Sequence, residues 1–451
     1  MNRISGSRRL LLVQAPLGRR ESPIYPLGLA LLAAVAPKEY SVRSVDPNQI
    51  GESESLKILD DFRPHVIGIS LRNIDSQMRR DLFYYYIHLK KFIKRVKEIA
   101  PDAVLILGGS GFSLFPRKIM IDNPWVDFGV YLEAEESFNE ILSVLSHSKN
   151  PREVRGIFYR KDNQVHFSGK RAYPDIKTIP IPRYDTLDPR PYVQYGGIGV
   201  QTKRGCPLSC IYCTYPHLNG TCYRLRPLHL VMEELEILVE EYGVRKITFV
   251  DGVVNLPMNR TYELLDMMKM KNWNLIWHGW FTEKNFTKDF ALLCKETGCR
   301  EFSFSPDGFS KATLNALGKT ISHNDILNVV RIAKDVHGIR IAFNFFWNPP
   351  EQDIRTFFKM LGFALYCKLK LREKSGGIIF GNMRIEPNTP LWKRAVDEGV
   401  IDSEFDLLPE DLEGLKRTFY SNPSTRYLDG LFHFYSGLWR MKNMIRRLLK
   451  P

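Results

Sequence analysis

Residues 198–213 read IGVQTKRGCPLSCIYC, and this stretch decides the fold. A short apolar strand runs straight into a loop that carries Cys206, Cys210 and Cys213. Three thiols this close in sequence converge on one centre only from a loop. Closely spaced thiolates of this kind hold iron–sulfur clusters. Three cysteine ligands leave one iron of a [4Fe–4S] cube without a protein ligand, so a substrate or cofactor can occupy it. Two other readings of the same residues stay open. Cys210-x-x-Cys213 alone is a redox motif, although thioredoxin-like motifs carry no third cysteine four residues upstream. With His217 the set becomes Cys3His, the ligand set of a zinc knuckle. Zinc knuckles staple small modules, whereas this loop opens a large α/β region.

Working outward from residue 198, the pattern alternates strand and helix. Strands are expected at 246–251, 275–279, 301–305, 339–347 and 376–380. Helices are expected at 228–242, 259–270, 288–297, 311–317, 323–336 and 353–365. About six β/α units with right-handed crossovers give a complete or partial barrel, whose active site lies at the carboxyl ends of its strands. Upstream, apolar strands at 9–14, 40–46, 65–70, 103–107 and 128–131 alternate with helices at 26–36, 81–99 and 135–145. Short continuous apolar strands between helices imply a parallel, doubly wound sheet. The fold class is α/β: a Rossmann-like domain at 1–150, a proline-rich linker with hairpin-like stretches at 151–194, a partial (β/α)6 barrel at 195–405 and a short helical extension at 406–451.

The composition is that of a globular protein. With 64 Lys+Arg against 50 Asp+Glu, the 451-residue chain carries a formal charge of +14. Such an excess permits an acidic partner without requiring one. The seven cysteines are odd in number, unevenly spaced and absent from the first 205 residues, which argues against a secreted disulfide framework. No run reaches the roughly 18 apolar residues of a spanning helix, and the start does not read as a secretory signal. The expectation is a cytoplasmic protein.

The segment TKRGCPLSCIYC, with Tyr212 just before the last cysteine, resembles the signature of radical S-adenosylmethionine (SAM) enzymes. Later segments resemble that family in the same order. Phe249-Val250-Asp251-Gly252 matches a second-strand F-x-D motif. Residues 303–310, containing Ser305 and Asp307, match the fourth-strand region, with Asp307 where the family usually has Glu and with Leu314 and Lys319 following. Asn348-Pro349-Pro350-Glu351 and the run from Arg384 to Leu391 match the fifth-strand turn and the closing segment. The resemblance implies that Cys206, Cys210 and Cys213 ligate the cluster. It also implies that Tyr212, Asp251, Gly252, Ser305 and Asp307 shape the SAM site.

Upstream, Gly108-Gly109-Ser110-Gly111 follows a buried strand, where glycines let backbone approach a ligand. The loop lacks the GxGxxG and P-loop patterns, and a tight turn with no ligand is the plain alternative. With Pro26-Leu27, Ser70, Arg72-Asn73 and Glu133-Ala134-Glu135, it resembles the cobalamin-binding domain that precedes the radical SAM domain in one large subfamily. That resemblance assigns these residues to cobalamin. The D-x-H-x-x-G motif is absent, since Asp46-Pro47-Asn48 has no histidine at the needed position, so imidazole is not the expected lower ligand.

The implied cofactors are a [4Fe–4S] cluster, SAM and cobalamin, with a one-electron reductant such as flavodoxin or ferredoxin. The implied activity is C-methylation of an unactivated carbon through a 5′-deoxyadenosyl radical and methylcobalamin, on a small-molecule, lipid or peptide substrate held between the domains. A cobalamin-dependent cyclase or ring-rearranging enzyme without net methylation is the alternative within the family. The non-enzyme alternative is a basic zinc-containing nucleic-acid-binding protein, though no nucleic-acid module is visible. A methylthiotransferase is disfavoured, because that family's first domain carries cluster cysteines and this one has none. A second cluster from Cys222, Cys294, Cys299 and Cys367 would have spacing unlike compact auxiliary motifs. Residues 427–450 form an aromatic then basic amphipathic stretch, with Leu438, Met441, Ile445 and Leu448 at helical spacing and Arg440, Lys442, Arg446, Arg447 and Lys450 around them. This reads as a terminal helix packed on the barrel or as a peripheral membrane contact.

Overall fold

The structure is a computed structural model that describes residues 8–19 and 21–432, with 434 and 437. The positions singled out from Leu438 to Lys450 lie outside the described residues.

The first sheet has seven strands: β1 (Arg8–Gln14), β2 (Tyr40–Val45), β3 (Val66–Ser70), β4 (Val104–Gly108), β5 (Phe128–Val130), β6 (Ile157–Lys161) and β7 (Gln164–Phe167). Their order is β2-β1-β3-β4-β5-β6-β7, and the first five are parallel. Helices cover both faces, which is why β1 reads as a continuous apolar run. Leu10 and Leu12 pack with Leu29, Phe138 and Ile141 on one face, and Leu11 and Val13 pack with Leu56, Leu59 and Phe92 on the other. Chain order reverses between β1 and β3. In such sheets ligands sit in the crevice beyond the carboxyl ends of the strands at that switch point.

Two features differ from the sequence reading. The helix expected from residue 81 begins at Tyr85, because residues 75–84 form a loop bridged by Asp75 and Tyr84. Residues 157–167, placed in the linker, form an antiparallel hairpin that extends the first sheet beyond residue 150. Its polar alternation reflects the edge position of β7.

The second region contains β8 (Ile198–Val200), β9 (Lys203–Arg204), β10 (Arg224–Leu225), β11 (Lys246–Phe249), β12 (Ile276–Phe281), β13 (Cys299–Asp307), β14 (Arg340–Phe346) and β15 (Ser375–Gly381). Six of these form a sheet in the order β15-β14-β13-β12-β11-β8. All its pairings are parallel, as expected for a partial (β/α)6 barrel. Strand alternation sorts β13 by face. Phe302 and Phe304 turn to the helix layer and meet Phe286 edge-on, while Ser305 lines an inner cavity. The short β9–β10 antiparallel ladder closes the base of the cysteine loop.

The chain after residue 405 returns to the first domain. Leu408 and Leu415 enter its core beside Tyr84 and Tyr86. Across the same boundary Arg384 Nε donates to Asp75 at 2.7 Å, and the Tyr192 hydroxyl donates to Asp46 at 2.9 Å.

Candidate active site

The cysteine loop leaves β9 through Gly205. Its φ is +80°, and a Cβ there would lie 2.0 Å from the Cys222 carbonyl oxygen, so a side chain is excluded. The Cys206 N–H donates to Gly220 O at 3.0 Å and the Cys213 N–H to Cys210 O at 3.1 Å, which pins both ends of the motif. The three thiols share a cavity of about 230 Å³ with Tyr212, Tyr215, Gly252, Trp280, Glu283, Ser305 and Lys319. Burial pushes the Cys206 thiol up and the Cys213 thiol up to about 11. Each thiol must lose its proton to ligate a metal. His217, which would complete a zinc knuckle, turns elsewhere: its Nε2 lies 3.3 Å from the Tyr131 hydroxyl and 3.4 Å from Asn388 Nδ2.

The SAM-side residues divide. Tyr212, Gly252 and Ser305 line the cavity; Asp251 and Asp307 do not. Asp251 is buried and spent on the strand that delivers the cysteines. Its carboxylate accepts from Thr202 N at 2.8 Å, Thr202 Oγ1 at 2.5 Å and Lys203 Nζ at 2.9 Å. Asp307 sits at φ +63° and accepts from the Tyr212 hydroxyl and the Lys319 ammonium. Lys319 Nζ also donates to Ser305 O at 2.8 Å. These two aspartates brace the residues around the cavity, and neither lines it. Burial alone would lower Lys319, but Asp307 outweighs it and holds the ammonium charged.

Glu283 carried no sequence signal. It is 2 % exposed and lines the cluster cavity. Its Oε1 has no hydrogen-bond partner, and burial pushes its carboxyl up to about 8. The Tyr215 hydroxyl on the same cavity is also buried without a partner. A cavity with three free thiols and orphaned polar groups fits a cluster together with a polar ligand.

On the first domain, two cavities meet at the carboxyl ends of β1, β3 and β4. One of about 320 Å³ is lined by Leu27, Ser70, Gly108, Gly109, Ser110, Glu133 and Glu135. The other, about 390 Å³, is lined by Pro26, Leu27, Ser70, Arg72, Asn73, Gly109 and Ser110. Gly109 has φ +100°, and a Cβ there would lie 2.4 Å from Leu71 O. This backbone cradle, open at the switch point, fits a large cofactor. Gly111 lines neither cavity; its N–H donates to Leu71 O at 2.9 Å and supports the loop from beneath. Glu133 and Glu135 are committed to ion pairs. Arg204 Nη1 donates to Glu133 at 2.8 Å and Nη2 to Glu135 at 2.5 Å, and Arg224 pairs with Glu133 as well. Burial alone would raise the Glu135 carboxyl, but Arg204 outweighs it and holds it below the usual range. Arg204 itself was missed, although it stands two residues before Cys206.

The two regions adjoin. Val250 and Gly199 of the barrel line the 390 Å³ cavity of the first domain. Gly252, two residues beyond Val250, lines the cluster cavity.

Comparison with known proteins matches this geometry. Residues 14–142 match the B12 binding domain model and residues 200–364 the Radical SAM superfamily model. An uncharacterized methyltransferase of Pyrococcus horikoshii is 26 % identical over 382 residues, covering 83 % of this chain and 79 % of that protein. The cytidylyl-2-hydroxyethylphosphonate methyltransferase of Streptomyces wedmorensis is 25 % identical over 315 residues, 58 % of this chain and 57 % of that protein. Among solved structures, the radical SAM methyltransferase TsrM from Kitasatospora setae, with tryptophan and a SAM analogue bound, superposes with a TM-score of 0.77 at 20 % identity, covering 87 % of this chain and 76 % of that one. With thiols, cradle and both matches in one chain, the protein combines a B12 binding domain at residues 14–142 with a radical SAM domain at residues 200–364.

Proposed function

We propose that the chain is a C-methyltransferase acting on an unactivated carbon of a substrate held between its two domains. The observation that carries this reading is the adjacency of the cavities: Val250 faces the first domain's cradle and Gly252 faces the three thiols. When bound, the cluster and SAM supply a hydrogen-abstracting radical and the cobalamin supplies a transferable methyl group.

The chain's own residues do the positioning. Cys206, Cys210 and Cys213 hold the cluster. Ser305, Gly252 and Tyr212 shape the SAM pocket, with Tyr212 fixed from behind by Asp307 and Lys319. Glu283 keeps its proton near neutrality and so can donate a hydrogen bond into the pocket. Leu27, Ser70, Arg72, Asn73 and the Gly108–Ser110 backbone hold the cobalamin. A small molecule, lipid or peptide fits as substrate class, flavodoxin or ferredoxin as electron donor, and the cytoplasm as compartment.

The test uses SAM with a deuterated methyl group, supplied to the reduced holoenzyme with an extract of candidate substrates. A product that gains the deuterated methyl supports the proposal. A ring-closed product without label overturns methyl transfer in favour of cyclisation.

A further inference from the structure

The helix Ile354–Leu371 is apolar on both sides. Phe357, Met360, Phe363 and Cys367 are buried against the barrel. On the opposite side Ile354, Phe358, Leu365 and Leu369 are 38 %, 59 %, 57 % and 61 % exposed. Their spacing, with half-buried Leu361 between them, sets them in one narrow stripe along the helix. Scattered exposed leucines need no explanation; a continuous stripe of five apolar side chains does. Arg355, Lys359, Lys368 and Lys370 flank it, all exposed, and the helix contains no acidic residue; Asp353 caps its N-terminus. At the near end Phe357 packs on Trp347, and Trp347 on Phe432. This ties the segment that carries exposed Tyr427, Leu431 and Phe434 to the buried side of the helix's first turn.

We propose that this face docks on an anionic membrane surface, with the stripe at the acyl boundary and the lysines on lipid headgroups. The charge pattern selects this occupant. A second copy laid face to face would set one basic flank against another, with no acidic residue in the helix to pair it. Residues 438–451 of this chain carry five basic residues and no acid, so they offer this face no opposite charge. A nucleic acid would pair with the lysines but leave the stripe in water. Apolar stripe and basic flanks together are the pattern of a helix lying in the bilayer interface. Lys and Arg stems reach past the apolar edge while their charged heads stay wet.

The experiment is co-sedimentation of the full-length chain with vesicles of phosphatidylcholine, with and without phosphatidylglycerol. The expected result is binding that requires phosphatidylglycerol and weakens with added salt. The variant Phe358→Ser with Leu365→Ser should bind about tenfold more weakly or worse. Lys359→Gln and Lys368→Gln should each cost about fivefold while leaving the stripe intact. All four positions are exposed, and an unchanged thermal melt confirms the fold. Three results would overturn the proposal. They are no binding by the native chain, binding unaltered in every variant, and a native dimer that Phe358→Ser with Leu365→Ser dissociates, which would make this face an interface between copies. None of these readouts depends on catalysis, so the proposal stands or falls separately from methyl transfer.

Discussion

Arg204 donates Nη1 to Glu133 at 2.8 Å across the boundary between the two domains, two residues before the first cluster cysteine. Its Nη2 reaches Glu135 at 2.5 Å and its Nε reaches Gln201 at 2.8 Å, so the guanidinium is used from every nitrogen. All three charged groups are nearly fully buried. The loop that lines the cobalamin cradle is thereby fixed to the strand that aims Cys206.

Breaking this link should be costly. Glu133→Gln leaves Arg204 and Arg224 sharing one fewer buried carboxylate, and removing one partner of such a pair costs about 3–5 kcal/mol. Arg204→Lys keeps the charge but loses the planar fork that spans two carboxylates. Both variants should unfold at lower denaturant than the native chain, and Arg204→Lys should retain less iron. Unchanged midpoints and full iron would show that the link is dispensable.

Replacing Cys206, Cys210 and Cys213 together by alanine should abolish cluster absorbance and reductive SAM cleavage. The fold should survive, because the barrel core lies with the Phe302–Phe304 layer and not at the loop. Normal 5′-deoxyadenosine release by this triple variant would remove the assigned role of the thiols.

Gly109→Ala tests the cradle. An added Cβ meets Leu71 O at 2.4 Å in a backbone region that favours glycine. The loop must shift, so bound cobalamin should fall at least tenfold while iron content holds. Equal loss of both cofactors would point to general unfolding.

The Arg384 cluster gives a pH dependence. Burial pushes the Glu386 carboxyl from its usual 4.5 up to about 7, only partly offset by Arg384. A carboxyl raised on folding binds its proton more tightly in the native state. Stability from this group is therefore present below about pH 4.5 and is lost as pH rises toward 7. The full loss is on the order of 3 kcal/mol. Glu386→Gln, which stays neutral, should flatten this slope in denaturant titrations between pH 5 and pH 7.5. An identical slope in both proteins would show that Glu386 titrates normally.

Much of this architecture was legible in the sequence, for physical reasons. Buried parallel strands such as β1 and β4 announce themselves as short apolar runs, and thiols at close spacing announce a loop-borne centre. The hairpin at 157–167 was misplaced because an edge strand needs only one apolar face and so resembles a linker. Gly252, Ser305 and the Gly108–Ser110 loop line the cavities at the carboxyl ends of their strands. Asp251, Asp307, Glu133 and Glu135 engage protein partners that no motif reveals, because a motif fixes a residue's place in the chain and not which partner its carboxylate finds. Arg204 and Glu283 were illegible: Arg204 matters through its burial and a partner 71 residues away, Glu283 through its burial in the cluster cavity.

The central claim is that one chain holds both a [4Fe–4S] cluster and a cobalamin. Metal analysis of protein purified without oxygen and supplied with cobalamin tests it most directly, paired with an assay for 5′-deoxyadenosine on reduction with SAM present. The account predicts about four iron and about one cobalt per chain, with 5′-deoxyadenosine formed. Zinc in place of iron, or iron with no retained cobalt, would contradict it.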